Sequence, residues 1–235
     1  MPRLSRRIRR GKTRRKRLIG GNTQQLPSSF QNYVQHIVYI NLERRKNRRT
    51  HITSQLSNFD SSRIHRVPAV EEPNHPALGC TKSHLKAMQM ARDNKWDNVL
   101  ILEDDAVLAN LDSAYPVFEK LINNPYDVIM LGGTMAEYDK QTYRVKKSQA
   151  GSSYLVHHSY YDTLIKETEK ILTEFDPKVN DARKVAVDLA VFKPLQARDK
   201  WFIVKPSLFV QRKDYSNIEH RHVNYNKLFN ESSPT

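Results

Sequence analysis

Strand-like and helix-like segments alternate through the first half of the chain, and this order predicts an α/β fold, a sheet with helices on its faces. Three observations carry the prediction. HIVYIN (His36 to Asn41) is a short run of β-branched and aromatic residues that passes straight into LERRKNRRTHITSQL, where Ile52 and Leu56 lie four apart as on an exposed helix. RIHRVPAV (Arg63 to Val70) alternates polar and apolar residues like a second strand, with Pro68 near its end. NVLIL (Asn98 to Leu102) is apolar throughout, the pattern of a strand buried on both faces.

The remaining elements follow in order. After the Pro-rich EEPNHPALGC, the segment TKSHLKAMQMARDN spaces Leu85, Met88 and Ala91 as a helix does. YDVIML (Tyr126 to Leu131) reads as another buried strand closed by Gly132 and Gly133. SSYLVH is a strand, SYYDTLIKETEKILTEF an amphipathic helix, VAVDLAVFKPL a short buried helix, and WFIVKPSLFVQR supplies late extended segments. No internal repeat is present.

At 235 residues the chain suits one substantial core plus tails: a basic arm and linker over 1–30, a domain over 31–225 and a tail over 226–235. The net charge of +14 is concentrated at the start. Residues 1–18 hold ten Lys or Arg and no acid, leaving 29 basic residues against 25 acidic ones in the rest. Such an arm has no apolar face to bury and repels itself, so disorder is expected over about the first thirty residues. It is either a solubilising tail or a contact for nucleic acid, packaging into a virion or an anionic membrane surface. Gly20, Gly21 and Asn22 stand where a secretory signal needs an apolar core, and no transmembrane segment is present, so a soluble, cytoplasmic protein is expected. The single Cys80 excludes an internal disulfide and a multi-cysteine zinc site.

LILEDDAVL (Leu100 to Leu108) then poses a problem, because ionised carboxylates are rarely buried without a positive partner. In open α/β sheets ligands sit beyond the carboxyl ends of strands, where this triplet and the Asn41 to Arg45 cluster both fall. If the acids continue in extended form, Glu103 and Asp105 share one side and Asp104 takes the other. Two carboxylates form half of a Mg²⁺ or Mn²⁺ site, and arginines bind phosphate through paired hydrogen bonds, so the pattern points to a nucleoside diphosphate. The alternative for the acids is a solvated loop or a helix N-terminus.

Together, IVYINLERRKNRR, GCTKSHLKAM and VLILEDDAVL, in this order and spacing, closely resemble the family 25 glycosyltransferases. The resemblance continues through VIMLGG, SSYLVH, AVDLAVF and PSLFVQRKDYSNIE, and covers roughly residues 35–219. It implies a GT-A type, Rossmann-like fold with a mixed, mostly parallel sheet and helices on both faces. It also implies transfer of a galactose or glucose from a UDP-sugar, with inversion, to a glycan, protein or lipid-linked acceptor. The family's acidic motif is matched by Glu103, Asp104 and Asp105, its asparagine-leucine-arginine motif by Asn41, Leu42, Arg44, Arg45 and Arg49, and its glycine-cysteine-serine-histidine motif by Gly79, Cys80, Ser83 and His84. Ser216-Asn217-Ile218 stands where many relatives have SDI. The basic arm lies outside the family pattern and is similar to arginine-rich termini of proteins from large DNA viruses.

Roles follow on that resemblance. Asp105 is expected as the most direct ligand of Mn²⁺ (or Mg²⁺), with Glu103 supporting and Asp104 as the alternative ligand. Asp188, an acid among apolar neighbours, is the candidate general base and Asp181 the second choice; the alternative for Asp188 is pairing with Arg183 or capping a helix. Ser83 and His84 are expected in the first turn of a helix that starts near Cys80, facing phosphate or sugar hydroxyls, while His84 is otherwise an ordinary histidine and Cys80 a packing residue. Arg44 and Arg45 are nearest the strand end; a solvated helix face is the alternative for all four arginines 44, 45, 48 and 49. His220 and His222 are candidates to complete a metal site. Two other functions compete: an inactive scaffold whose arm binds nucleic acid or a virion, and a metal-dependent phosphoryl-transfer enzyme or nuclease.

Overall fold

The computed structural model describes residues 26–230 of the chain. Helix α1 (Ser28–Tyr33) leads into β1 (Ile37–Asn41), α2 (Lys46–Gln55), β2 (Ile64–Pro68), α3 (Pro76–Asp93), β3 (Asn98–Glu103), β4 (Ala106–Leu108), α4 (Leu111–Ile122) and β5 (Val128–Met130). The hairpin β6 (Thr134–Tyr138) and β7 (Val145–Gln149) precedes β8 (Ser153–His157) and α5 (Tyr161–Glu174). A π-helical turn (Val187–Phe192), α6 (Lys193–Arg198), β9 (Trp201–Ile203), β10 (Phe209–Gln211), the hairpin β11 (Asp214–Ser216) and β12 (Arg221–Val223), and α7 (Asn226–Asn230) complete it.

Six strands form the main sheet in the order β2-β1-β3-β8-β5-β9, with β8 antiparallel to both neighbours and the other pairs parallel. This is the mixed, mostly parallel α/β sheet expected. Alternating side chains explain why β1 and β3 are apolar throughout. Val38, Ile40, Val99 and Ile101 pack with Ala87 and Met88 of α3 and Leu164 of α5, while Ile37, Tyr39, Leu100 and Leu102 pack with Phe30 of α1, Ile52 of α2 and Phe118 of α4. Each fully buried Val, Leu, Ile or Phe contributes about 1.5–3 kcal/mol, so both layers are needed.

The packed chain begins earlier and ends later than the expected domain of 31–225. Leu26 and Phe30 are buried, the Phe30 ring packing with its centroid 4.6 Å from that of Phe118, and Phe229 of α7 is buried as well. The expected disorder therefore does not reach residues 26–30, and the arm itself lies outside the described residues. Among the described residues no helix is long and apolar enough to cross a membrane.

The sheet order places the site. From β1 the chain crosses to β2 on one side and next to β3 on the other, so a crevice opens where these connections diverge at the carboxyl ends of β1 and β3. Ile40 lies opposite Glu103, which brings Asn41 beside Asp104 at the strand ends.

Candidate functional site: a carboxylate and arginine cleft

A cleft of about 970 Å³ opens at these strand ends. The strand stops at Glu103, and Asp104 and Asp105 form a turn into β4, which pairs with β10 so that Gln211 stands opposite Ala106. The expected extended run of acids is thus corrected: the chain reverses after Glu103, and Asp104 and Asp105 both reach Arg48, at 2.9 and 3.1 Å from its Nη1. The expected pairing of Glu103 with Asp105 is nonetheless present by another route. Gln211 Nε2 donates to Glu103 Oε2 at 3.2 Å and to Asp105 Oδ1 at 3.4 Å, so the two carboxylates converge on one point.

Arg48 answers the question the acidic triplet raised. Its Nε donates to Asp214 at 3.0 Å and its Nη2 to the Tyr215 carbonyl, and Asp105, Asp104 and Asp214 keep it charged against the cost of burial. Arg45 donates to Asp214 at 3.1 Å and to Asn217 Oδ1 at 3.2 Å, which gives the Asn of the SNI segment a role as an arginine support. Burial, followed by the charge of Glu103, pushes the Asp105 carboxyl up to about 7 against the pull of Arg48. Burial raises Asp104 too, with Arg48 and Asn41 opposing. For Glu103, burial is outweighed by the hydrogen bond and charge of His84, helped by Arg48 and Gln211, and its carboxyl is held below the ordinary range.

Of the expected site residues, Leu42, Arg44, Arg45, Cys80, Ser83, His84, Glu103, Asp104, Asp105 and Asp188 line the cleft. Asn41 lies behind it, fully buried, where its Nδ2 donates to Asp104 Oδ2 at 2.6 Å. Gly79 also does not line it: a Cβ there would stand 2.5 Å from the Val70 carbonyl oxygen, so this glycine lets α3 approach the loop after β2. Arg49 is exposed and off the cleft, and Arg48 occupies the place expected of it. Arg48 sits four residues before Ile52 and eight before Leu56, both buried, so the spacing that marked the inward face of α2 already pointed to it. Arg44, more than half exposed, pairs with Glu71 at the rim.

Helix α3 starts at Pro76, suited to a first turn because it has no N–H to satisfy. Cys80, Ser83 and His84 therefore lie beyond its first turn, and the expected use of free backbone N–H groups beside Ser83 and His84 does not hold. Ser83 Oγ instead donates to the Gly79 carbonyl and accepts from Val70 N–H at 2.8 Å. His84 is fully buried, with Nδ1 2.8 Å from the Tyr154 hydroxyl and Nε2 3.4 Å from Glu103 Oε1. Cys80 Sγ lies 4.0 Å from the same oxygen, and burial with the surrounding carboxylates pushes its thiol well up.

Asp188 heads the π-helical turn and accepts a hydrogen bond from Ala150 N–H at 3.1 Å; burial, then the charge of Glu103, raises its carboxyl above the ordinary range. The alternative partner, Arg183, pairs with Asp181, and Asp181 is exposed, caps a short turn and does not itself line the cleft. His220 and His222 are both exposed and do not join the acids; His220 alone lines the cleft. Gln211, Asp214 and Tyr154 were missed in the sequence because each arrives from a distant strand.

This geometry defines a class first: an α/β protein with an acid and arginine cleft at the switch point of its sheet. Residues 71–187 match the family model described as glycosyltransferase family 25 (LPS biosynthesis protein), and that match places the chain in glycosyltransferase family 25. No curated protein matches the chain by sequence. Solved structures similar to it include that of A197 from STIV (13% identity, 86% of this chain and 97% of that chain, TM-score 0.39). Another is a glycosyltransferase involved in the glycosylation of the major capsid of PBCV-1 (11% identity, 79% of this chain and 96% of that chain, TM-score 0.49).

Proposed function

We propose that this family 25 glycosyltransferase moves a hexose, galactose or glucose, from a UDP-sugar to a hydroxyl of a glycan, protein or lipid-linked acceptor, with inversion. The observation that carries the reading is the convergence of Glu103 Oε2 and Asp105 Oδ1 on one donor beside buried arginines. The charge arrangement supports it: Asp104, Asp105 and Asp214 pair with Arg45, Arg48 and Arg212, and Glu103 and Asp188 bring two further carboxylates to the cleft. This all-oxygen set fits a hard cation, Mn²⁺ or Mg²⁺, with Glu103 and Asp105 as its holders. Such a cation, when bound, neutralises charge that builds on a departing diphosphate.

The chain's own residues supply the rest. Arg45, braced by Asp214 and Asn217, is placed to meet phosphate oxygens at the cleft mouth. Asp188 takes the proton of the acceptor hydroxyl; its raised affinity for a proton suits a base, and Ala150 N–H holds one of its oxygens in place.

The test is to incubate the protein with Mn²⁺ and a panel of UDP-sugars and measure UDP release with and without acceptors. Release that disappears with chelator and in Asp105→Ala is expected. Absence of donor binding and hydrolysis under every condition overturns the reading and favours an inactive scaffold.

A further inference from the structure

The two oxygens of Glu103 face different partners. While Oε2 turns to Gln211 and Asp105, Oε1 turns to His84 Nε2 and Cys80 Sγ, and the three ligand atoms lie within 4.8 Å of one another. Cys80 and His84 are four apart on α3 and so share one helix face, and β3 delivers Glu103 against it. We infer that Cys80, His84 and Glu103 form a second cation site, distinct from the all-oxygen pair, that takes a borderline-soft divalent ion of the Zn²⁺ or Co²⁺ class.

The dimensions and chemistry agree. Tetrahedral zinc with bonds of about 2.0–2.3 Å sets its ligand atoms about 3.3–3.7 Å apart. The present separations of 3.4 Å for nitrogen to oxygen and 4.0 Å for sulfur to oxygen need only small adjustment. Sulfur, imidazole nitrogen and one carboxylate oxygen are the donors such ions prefer, whereas Mg²⁺ is held by oxygen alone. A support behind the ligands is already built: the fully buried Tyr154 hydroxyl sits 2.8 Å from His84 Nδ1, so that when an ion takes Nε2 the Nδ1–H has Tyr154 as its acceptor. Gln211 fixes the other end of the carboxylate. On binding, Cys80 releases its proton to solvent and the thiolate forms the metal bond. All three ligands line the cleft, so the fourth position of the ion faces its interior, where water or a substrate oxygen completes the coordination.

The chain's single cysteine makes the test unambiguous. Metal-free full-length protein is titrated with Co²⁺ and its absorption recorded. One equivalent with a thiolate-to-cobalt charge-transfer band is expected, the band being displaced by Zn²⁺, lost in Cys80→Ser and retained in Asp105→Asn. Tyr154→Phe is expected to lower cobalt affinity about 10–100-fold with the band intact. In the unmodified protein, Zn²⁺ should slow alkylation of Cys80, a readout that needs no variant. Cobalt binding without the thiolate band, or alkylation unaffected by saturating Zn²⁺, overturns the inference. None of these readouts depends on sugar transfer, so a chain that fails to release UDP can still satisfy them.

Discussion

Arg48 Nη1 stands 3.1 Å from Asp105 Oδ2, so a carboxylate proposed to hold a cation already faces a cation supplied by the chain. The same nitrogen lies 2.9 Å from Asp104, and all three side chains are nearly buried. Removing one partner of a buried ion pair leaves an uncompensated charge, so Arg48→Met is expected to cost about 3–5 kcal/mol. Urea denaturation in chelator measures it, and a loss below about 1 kcal/mol refutes the role assigned to this arginine.

Asp105 makes the converse prediction. Its carboxyl, at about 7 in the folded protein against an ordinary 3.8, takes up a proton that the unfolded chain releases, so stability from this group rises as pH falls from about 7 to about 4. Asp105→Asn, which removes the charge, is expected to raise the melting temperature of metal-free protein at pH 8 and to change it little at pH 4. An equal effect at both values contradicts the assignment.

At the opposite end of the sheet the sign reverses. His36 stacks on Trp96 at 4.2 Å with 6° between the rings, and His65 lies 4.5 Å from the same indole. Burial lowers the proton affinity of both, and for His36 the charge of His65 adds to it. Because the unfolded chain then binds protons that the fold excludes, stability falls as pH drops below about 6.5. Replacing both histidines with glutamine should flatten the decline in melting temperature between pH 7.5 and 5.

Asp188→Asn tests the proposed base. The amide keeps an oxygen for Ala150 N–H, so the fold and its melting temperature are expected to persist while transfer falls about 10²–10⁴-fold. Near wild-type transfer rules Asp188 out.

Phe30 tests where the packed chain begins. Fully buried against Phe118 and Phe59, it should cost about 3–5 kcal/mol when replaced by alanine. A near-neutral result would restore a boundary at residue 31.

Much of the architecture was legible because it rests on local pattern. The apolar runs of β1 and β3 announce strands buried on both faces, and the alternation of strand and helix announces a sheet, with a cleft at its carboxyl ends. The acidic triplet was visible as chemistry out of place in a core, the NLERR cluster by its place at a strand end, and the GCTKSH segment through the family resemblance. Their partners were not. Whether Arg48 or Arg49 enters the cleft depends on helical phase, which the spacing to Ile52 and Leu56 records, yet proximity to the strand end favoured Arg44 and Arg45. Gln211, Asp214 and Tyr154 come from strands far along the chain, and no local spacing relates them to Glu103 or Arg48.

By itself, then, the sequence determined which residues carry charge, sulfur or imidazole and which elements deliver them to one end of the sheet. Only the tertiary structure decided how they divide: the turn after Glu103 gives Asp104 and Asp105 to Arg48, and one Glu103 oxygen goes to Gln211 and the other to His84 and Cys80. The physical reason is that buried charges must find partners within a few ångströms, and those distances are set by strand register and helix phase across the whole fold.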